Sequence, residues 1–352
     1  MPEVSGAGPA PYIYVCTRMR VRKAKLIPRE EYQRLLNMSL PEIARFIEET
    51  EYKQEIDELA TAFRGTNLIE VAVSWNLAKE YQRILQITPG NLKHFTKAYL
   101  RRWDIQNVLT IIRGKIQGVK PGKIKEVLIP AGSLDRVFLD RLLNEDSPDR
   151  IMDALKDTRL YPVLVREFQP AMESGSFARL ENELYKEFYA DLIAEAKSGV
   201  KGGDLFLAFI KLDIDIKNIK TLFRLRADQF EEDGREIMVP GGSFSVDELQ
   251  QLNSIPQHEE FIDSLMRKVK LKALLDLLES LKKERKVRDI EIALTRVQLE
   301  QMERMSKRTP FSIHPILVYL EKKKYEVTNL RAIARGKESN LPTDKIAECL
   351  VM

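Results

Sequence analysis

Cysteine and histidine are scarce in this sequence. The two cysteines, Cys16 and Cys349, lie near opposite ends of the chain, and no signal-peptide pattern is present, so we expect a reducing compartment. The three histidines, His94, His258 and His314, are far apart and match neither a metal-binding nor a catalytic-triad spacing. The sequence therefore predicts no metal site and no catalytic residues of these types.

Long apolar runs and a strong net charge are also missing. No stretch approaches the roughly 20 apolar residues that a membrane-spanning helix needs, so membrane association should come through a partner or a surface. Lys and Arg number 57 against 53 Asp and Glu, and the resulting net charge of +4 is too small to predict nucleic-acid binding. The glycine pairs at 202–203 and 241–242 lack the lysine and the flanking strand of a phosphate-binding loop. We therefore expect no bound cofactor or nucleotide.

The most basic segment lies between residues 12 and 25. Basic and apolar side chains alternate in it, namely Arg18, Arg20, Arg22, Lys23 and Lys25 with Val15, Met19, Val21 and, just beyond, Leu26. This pattern is typical of an amphipathic helix whose long basic side chains cover apolar surface, and a phosphate-binding site is the alternative. We favour the amphipathic helix.

One segment occurs three times. DIQNVLTIIRGK at residues 104–115 is followed by DIKNIKTLFR at 215–224 and EVTNLRAIARGK at 326–337. The asparagines Asn107, Asn218 and Asn329 are evenly spaced (218 − 107 = 329 − 218 = 111). Other landmarks keep nearly the same step, namely the turns at 130–132 and 240–242, and Glu70, Glu181 and Glu291 at the start of long amphipathic patterns. A repeat of this length indicates a domain duplicated twice, since solenoid repeats are much shorter.

We predict a flexible N-terminus at residues 1–11 and three similar helical domains at residues 12–118, 119–229 and 230–352. In each domain, two long helical patterns should form an antiparallel hairpin. The pairs are 67–87 with a helix that begins near 91 and continues through the repeated segment, 180–196 with 205–224, and 289–305 with 315–334. The alternation typical of strands is confined to short pieces such as 236–239, so the predicted fold is all-α.

The repeated segment supplies nine candidate site residues, which are Asp104, Asn107, Arg113, Asp215, Asn218, Arg224, Glu326, Asn329 and Arg335. The acid lies where a carboxylate could cap free N–H groups if a helix begins there. Asparagine is a mediocre helix former, so its recurrence suggests a hydrogen bond to a neighbouring element. The asparagine and the arginine fall on different helix faces, so each should have its own partner. We interpret the set as a packing device that fastens the long helix to the 131–132 or 241–242 turn and to adjacent helix ends, and ligand binding is the alternative.

In order and spacing, these segments resemble the C subunit of archaeal-type (A-type) and bacterial V-type ATPases, whose eukaryotic counterpart is the d subunit of the vacuolar ATPase. The resemblance runs from about residue 12 to residue 352, and its motifs are the basic opening at 14–25, the segments 99–107 and 112–115, the turns at 130–132 and 240–242, and the closing segment 329–337. One departure is Leu225-Arg226, where the pattern has Gly-Lys.

The resemblance implies three all-α domains around a pseudo-threefold axis, forming a funnel with a central cavity. It further implies a non-catalytic subunit on the cytoplasmic face of the membrane, peripheral and held through the rotor ring. Such a subunit would receive the central-stalk subunits in its cavity and transmit torque to the proteolipid ring, which moves protons or sodium ions during ATP synthesis or hydrolysis. It would bind neither nucleotide nor nucleic acid. The alternative is an all-helical protein-interaction scaffold unrelated to a rotary motor.

Overall fold

The computed structural model describes residues 10–229, 233–283 and 286–351. Within these ranges the chain is helical and contains no β-strand, which confirms the all-α prediction. Residues 1–9 of the predicted flexible N-terminus and residues 230–232, where the third predicted domain begins, lie outside the described residues. Residues 10 and 11 already belong to the first helix.

Seven helices make up the first repeat. Their bounds are Ala10–Ala24 (α1), Arg29–Leu35 (α2), Leu40–Glu48 (α3), Lys53–Leu59 (α4), Gly65–Ile87 (α5), Gly90–Leu100 (α6) and Arg102–Ile116 (α7). Pro28 directly precedes α2, and the Ser39 N–H donates to the Glu42 carboxylate at 2.7 Å where α3 begins. Pro89 follows α5 because proline cannot continue a helix, and Gly90 adopts a φ of 48°.

The second and third repeats follow the same plan. The second contains Pro121–Val127 (α8), Arg136–Asn144 (α9), Pro148–Ala154 (α10), Tyr161–Ser174 (α11), Ala178–Lys197 (α12) and Gly203–Ala227 (α13). The third contains a 3-10 turn at Gly234–Glu236, then Val246–Asn253 (α14), His258–Lys268 (α15), Lys272–Ser280 (α16), Val287–Arg308 (α17), His314–Glu338 (α18) and Thr343–Ala347 (α19). Residues 237–239 continue from this turn without forming a strand.

The long helix that carries the repeated segment differs between repeats. It is continuous in α13 and α18 but bends between α6 and α7, where the prediction had one uninterrupted helix. At the bend, the Arg101 N–H bonds the Ala98 carbonyl at 3.2 Å and the Asp104 N–H bonds the Arg101 carbonyl at 3.0 Å. These bonds reach back three residues, so the backbone tightens into a 3-10 turn that redirects the axis.

The long helices pack in a closed ring. α5 packs against α6, α6 and α7 pack against α12, and α12 packs against α13. α13 then packs against α17, α17 against α18, and α18 against α5. Each repeat therefore contacts the next, and the third contacts the first. One apolar core runs through the first two repeats and α18, and a second lies between α13 and the helices α14 to α17.

The basic segment forms α1, which packs on α18. Val15, Cys16 and Met19 are its buried face. Val21, which the sequence analysis placed among the apolar positions of the helix, is 55% exposed, because it lies on the opposite side. Carboxylates accompany several of the basic side chains, namely Glu80 beside Arg22, Glu303 beside Lys23 and Glu51 beside Lys25.

Candidate functional site

Three asparagines hold a backbone segment against the long helix that carries them. Asn107 Nδ2 donates to the Ile129 carbonyl at 2.7 Å, and Asn107 Oδ1 accepts from the Ile129 N–H at 2.9 Å. The same two-way pairing, at 2.8 and 2.9 Å in both cases, joins Asn218 to Val239 and Asn329 to Val351. Each asparagine thus satisfies both polar groups of one backbone unit, as a neighbouring strand would.

The acids of the first two repeated segments bind the turn that follows the asparagine's partner. Asp104 accepts hydrogen bonds from the N–H groups of Ser133 at 2.8 Å and Leu134 at 2.9 Å. Asp215 accepts from the Ser243 N–H at 2.7 Å. The carboxylates therefore cap a distant turn and not the helix in which they lie, and α13 passes through Asp215 without beginning anew.

Two glycines make room for these carboxylates. A Cβ atom on Gly132 would lie 2.1 Å from Asp104 Oδ1, and a Cβ on Gly242 would lie 2.2 Å from Asp215 Oδ1. Both distances are far below van der Waals contact, so the close approach of backbone to carboxylate requires glycine. Burial raises the pKa of Asp104 to about 6, although the N–H groups of Leu134 and Ser133 oppose the rise. The pKa of Asp215 is raised for the same reason.

Glu326 takes the acid's position in the third repeat and has different partners. Its Oε2 accepts from the Ile27 N–H at 2.6 Å. Its Oε1 accepts from the Tyr52 hydroxyl at 2.6 Å and from Lys323 Nζ at 2.8 Å. Burial, reinforced by the charge of Glu326, raises the pKa of Tyr52 well above its ordinary value. The side chain therefore ties the third repeat to the first.

Each arginine of the repeated segment binds a glutamate of the next repeat. Arg113 Nη2 lies 2.7 Å from Glu181 Oε2. The equivalent pairs are Arg224 with Glu291 and Arg335 with Glu70. Because Arg335 belongs to the third repeat and Glu70 to the first, the three pairs form a closed cycle. The arginines are partly exposed, so each pair contributes only about 0.2–1 kcal/mol to stability.

Leu225 stands where the repeat pattern has glycine, and a second change, at Gly234, compensates for it. Gly114 of the first repeat packs under Ile124 of α8, and a Cβ on Gly114 would lie 2.6 Å from Ile124 Cδ1. The third repeat has the same pairing, Gly336 with Ile346. Leu225 of the second repeat replaces the glycine and packs on Gly234 of the third, where an added Cβ would lie 3.0 Å from Leu225 Cδ1. The large and small residues exchange places, so α13 keeps its end at Ala227.

A buried charged cluster lies where the three repeats meet. Arg102, from the first repeat, donates to Asp213 of the second and to Glu321 of the third, both at 2.8 Å. Further donors surround the two carboxylates, namely Tyr99 and Lys324 beside Glu321, and Tyr189 and Gln298 beside Asp213. The Arg102 guanidinium also lies 4.1 Å from the centre of the Tyr99 ring. One network of charge-assisted hydrogen bonds therefore joins all three repeats.

Neighbouring charges keep Arg102 and Asp213 ionised in spite of their burial. Burial alone would lower the pKa of Arg102, but Tyr99, Asp213 and Glu321 raise it well above its ordinary value. Burial would likewise raise the pKa of Asp213, and Arg102 and Lys324 lower it instead. Because both charges are desolvated, removing one partner would leave the other buried and unpaired.

The sequence analysis missed this cluster, although the repeat spacing contained the signal. Arg102, Asp213 and Lys324 each lie two residues before the acid of the repeated segment, and they are evenly spaced (213 − 102 = 324 − 213 = 111). They are thus equivalent positions of the three repeats that carry charges of opposite sign. Opposite charges at equivalent positions of a closed ring can pair across its centre, and this pattern could have been read from the sequence.

The histidines, the only ones in the sequence, have separate surroundings. His94 lies 2.6 Å from Glu195, His258 bonds the Leu281 carbonyl, and His314 bonds Thr309 and the Leu205 carbonyl. Across the described ranges, no group of three or more His, Cys, Asp or Glu side chains is arranged to hold a metal ion.

Comparison with known proteins identifies the family. Residues 15–349 match the family model described as ATP synthase (C/AC39) subunit. The chain belongs to this family. The A-type ATP synthase C subunit of Methanosarcina acetivorans is 41% identical to it over 98% of this chain and 94% of the relative. The C subunits of Archaeoglobus fulgidus and Halobacterium salinarum are 35% and 33% identical, covering 97% and 99% of this chain and 97% and 100% of their own lengths.

Membership in the C/AC39 family confirms the resemblance found in the sequence. It makes the chain a non-catalytic part of an A-type ATP synthase, a rotary complex of many subunits. In the part of this C/AC39 subunit that the structure describes, no helix is both long and apolar enough to cross a membrane.

Proposed function

We propose that this C/AC39 subunit is a rotor adaptor, which joins the central stalk of a rotary ATPase or ATP synthase to the proteolipid ring in the membrane. It would lie peripherally on the cytoplasmic face and be held there through the rotor ring. Its task would be to transmit torque between ATP synthesis or hydrolysis and proton or sodium transport. The observation that carries the proposal is the closed ring of long helices, in which α18 of the third repeat packs on α5 of the first.

An adaptor that transmits torque must resist shear between its parts. Buried hydrogen bonds across the junction of the first and third repeats supply this resistance. The Tyr81 hydroxyl donates to the Leu320 carbonyl at 2.6 Å, and the Tyr319 hydroxyl donates to Glu80 at 2.7 Å. Together with the network around Arg102, these bonds cross-link close-packed helices whose interior deforms little under load.

We further propose three domains, at residues 12–118, 119–229 and 230–352, which surround a pseudo-threefold axis as a funnel with a central cavity. The cycle of pairs from Arg113, Arg224 and Arg335 supports this arrangement, since each repeat offers an equivalent arginine to its neighbour. A closed head-to-tail cycle generates a ring, whereas an open one would run on as a superhelix. In this proposal the nine residues of the repeated segment are a packing device that fixes each domain against the next.

The proposal can be tested by assembly and by coupling. Purified chain should bind both the isolated subunits of the central stalk and the detergent-solubilised rotor ring, and by itself it should hydrolyse no ATP. In reconstituted vesicles, the complex assembled without the chain should hydrolyse ATP without pumping ions, and adding the chain should restore pumping. A chain that is helical by circular dichroism but binds neither partner would overturn the proposal.

The alternative is a protein-interaction scaffold unrelated to a rotary motor. It predicts the opposite result in the vesicle experiment. Such a scaffold would leave ion pumping unchanged when it is added to the reconstituted complex. Membership in a family of ATP synthase subunits weighs against this alternative.

A further inference from the structure

A small cavity of about 240 Å³ lies beside the Arg102 network, lined by residues of all three repeats. Its polar lining includes Arg102, Gln106, Lys217, Lys220, Gln298 and Lys324. The lining also contains Arg224 and a single carboxylate, Asp213, so cationic side chains outnumber acidic ones by five to one and the cavity is basic.

The carboxylates of the cluster do not neutralise all of these cations. Asp213 and Glu321 are already bound by Arg102, which faces both of them, and Glu321 is also bound by Lys324. Two negative charges thus offset two positive ones. Within the described part of the chain, Lys217 and Lys220 form no ion pair, and both are partly buried. Asp213 attracts both lysines, Glu181 attracts Lys217 and Glu291 attracts Lys220, but none of these carboxylates lies within ion-pair distance of either amine.

The contacts of these two lysines are weak substitutes for an anion. Lys217 Nζ lies 4.7 Å from the centre of the Tyr185 ring. Lys220 Nζ donates to the Thr295 hydroxyl at 2.6 Å, which uses one of its three N–H groups. Burial, added to the repulsion from Lys324, lowers the pKa of Lys220 to about 8, and burial lowers that of Lys217 as well. A bound anion would relieve this repulsion.

The lysines also break the symmetry of the repeats. The positions equivalent to Lys217 are Gln106 and Thr328, and the positions equivalent to Lys220 are Leu109 and Arg331. Arg331 is directed to the Ser74 hydroxyl of the first repeat. Among the described residues, the second repeat is therefore the one that presents two amines without an ion pair to the cavity.

We infer that Lys217 and Lys220 form an anion-binding site for a carboxylate of the docked central stalk. Binding there fixes the stalk in one of the three angular positions that three similar repeats would allow. The inference rests on the function proposed above. A cavity of this volume holds one or two side chains, since a helix is about 10–12 Å across. The occupant is thus an acidic side chain or a C-terminal carboxylate at the tip of the stalk. A single register matters for an adaptor, because a symmetric socket would let the stalk engage in three orientations.

The test compares binding of the purified central-stalk subunits to the chain and to its variants by calorimetry. Lys217→Met and Lys220→Met keep the side-chain length and remove the charge, and each should weaken binding at least about tenfold, as expected when one partner of a buried charge pair is lost. Lys211→Met is the matched control, because Lys211 lies on the same helix but not in the cavity lining. It should bind like the unmodified chain, and thermal melts should show that all variants fold.

A charge-transfer variant tests the angular register. Thr328→Lys combined with Lys217→Gln keeps the net charge and moves one amine to the equivalent position of the third repeat, which is exposed and outside the cavity lining. If the register is fixed by the second repeat, this variant should bind as weakly as Lys217→Gln alone. Full recovery of affinity would show that the second repeat does not fix the angular position of the stalk. Undiminished binding by both methionine variants would show that the two lysines do not bind it. If the unmodified chain does not bind the stalk at all, the proposed function itself fails.

Discussion

Asn218 of the second repeat and Val239 of the third exchange two hydrogen bonds in the protein interior, where the asparagine side chain is fully buried. The same exchange recurs around Asn107 and Asn329. An amide side chain is suited to this task because its carbonyl and NH₂ groups match the N–H and C=O groups of one backbone unit. The spacing of the three asparagines is therefore the spacing of three equivalent backbone clamps.

Replacing Asn218 with leucine should destabilise the protein strongly. Leucine has a similar size but leaves the N–H and C=O groups of Val239 buried without partners, at a cost of about 1–3 kcal/mol for each group. We expect the free energy of unfolding in urea to fall by roughly 2–5 kcal/mol. The exposed Asn37 is a matched control, and Asn37→Leu should change stability by no more than about 0.5 kcal/mol. An unchanged melting temperature for Asn218→Leu would contradict the clamp.

Arg102→Met should be more damaging than the same change at Arg113. Without the guanidinium, Asp213 and Glu321 lose the cation between them, and breaking a buried ion pair costs about 3–5 kcal/mol. Arg113 is 41% exposed in its pair with Glu181, so Arg113→Met should cost less than about 1 kcal/mol. Chemical denaturation of both variants under the same conditions gives the comparison. An equal fall in the free energy of unfolding for the two variants would mean that water reaches the Arg102 network.

Gly132→Ala should weaken the contact between the first and second repeats, because the new methyl group would collide with the Asp104 carboxylate. Relief of the clash requires the loss of at least one hydrogen bond to Ser133 or Leu134, so we expect a cost of about 1–3 kcal/mol. Gly122 provides the control, since a Cβ there meets nothing within 4 Å. Gly122→Ala in α8 should be neutral or slightly stabilising. Equal melting temperatures for the two variants would contradict the close approach of Gly132 to the Asp104 carboxylate.

The sequence predicted the periodic features of this fold well. Long helices such as α12 and α17 follow from apolar residues at helical spacing, and the recurrence of Asn107 at a constant step revealed the three repeats. These signals are local or periodic, so they survive in a single sequence without any knowledge of the tertiary structure.

Contacts between the repeats were harder to predict. Arg113 and Glu181 are both visible as recurring residues, but 68 positions separate them, and no local rule joins them. The bend at Arg101 was missed for a different reason, since the segment from α6 to α7 has an unbroken helical pattern. Leu225 was noticed as a departure, whereas its compensation at Gly234 became apparent only when the two residues were found in contact.

The two thiols should differ sharply in reactivity. Cys349 is exposed, whereas Cys16 is buried beside the Ser312 carbonyl. Burial raises the pKa of Cys16 to about 11, although the positive charge of Arg20 opposes the rise, so little thiolate forms near neutral pH. With iodoacetamide at about pH 8, Cys349 should react rapidly and Cys16 only as the protein unfolds. In the Cys349→Ser variant, rapid labelling under native conditions would show instead that α1 detaches from α18.

Asp104 should make stability depend on pH. Its pKa is about 6 in the folded protein, against an ordinary value of 3.8. Between these values the unfolded chain releases the proton while the folded protein keeps it, so ionisation favours unfolding. The stabilisation that Asp104 provides is therefore complete below about pH 4. It falls as the pH rises to about 6 and changes no further above that.

The Asp104→Asn variant isolates this effect, because its side chain is neutral at every pH. It should be less stable than the unmodified protein at low pH. Asp104 accepts from Ser133 and Leu134 through separate oxygen atoms, whereas asparagine has one accepting oxygen and an NH₂ group that can only donate. Urea titrations between about pH 4 and 7 should show the difference in unfolding free energy narrowing by up to about 3 kcal/mol, at about 1.4 kcal/mol for each pH unit. A difference that grows with pH would mean that the folded protein holds the carboxylate ionised, with the N–H groups of the turn outweighing burial.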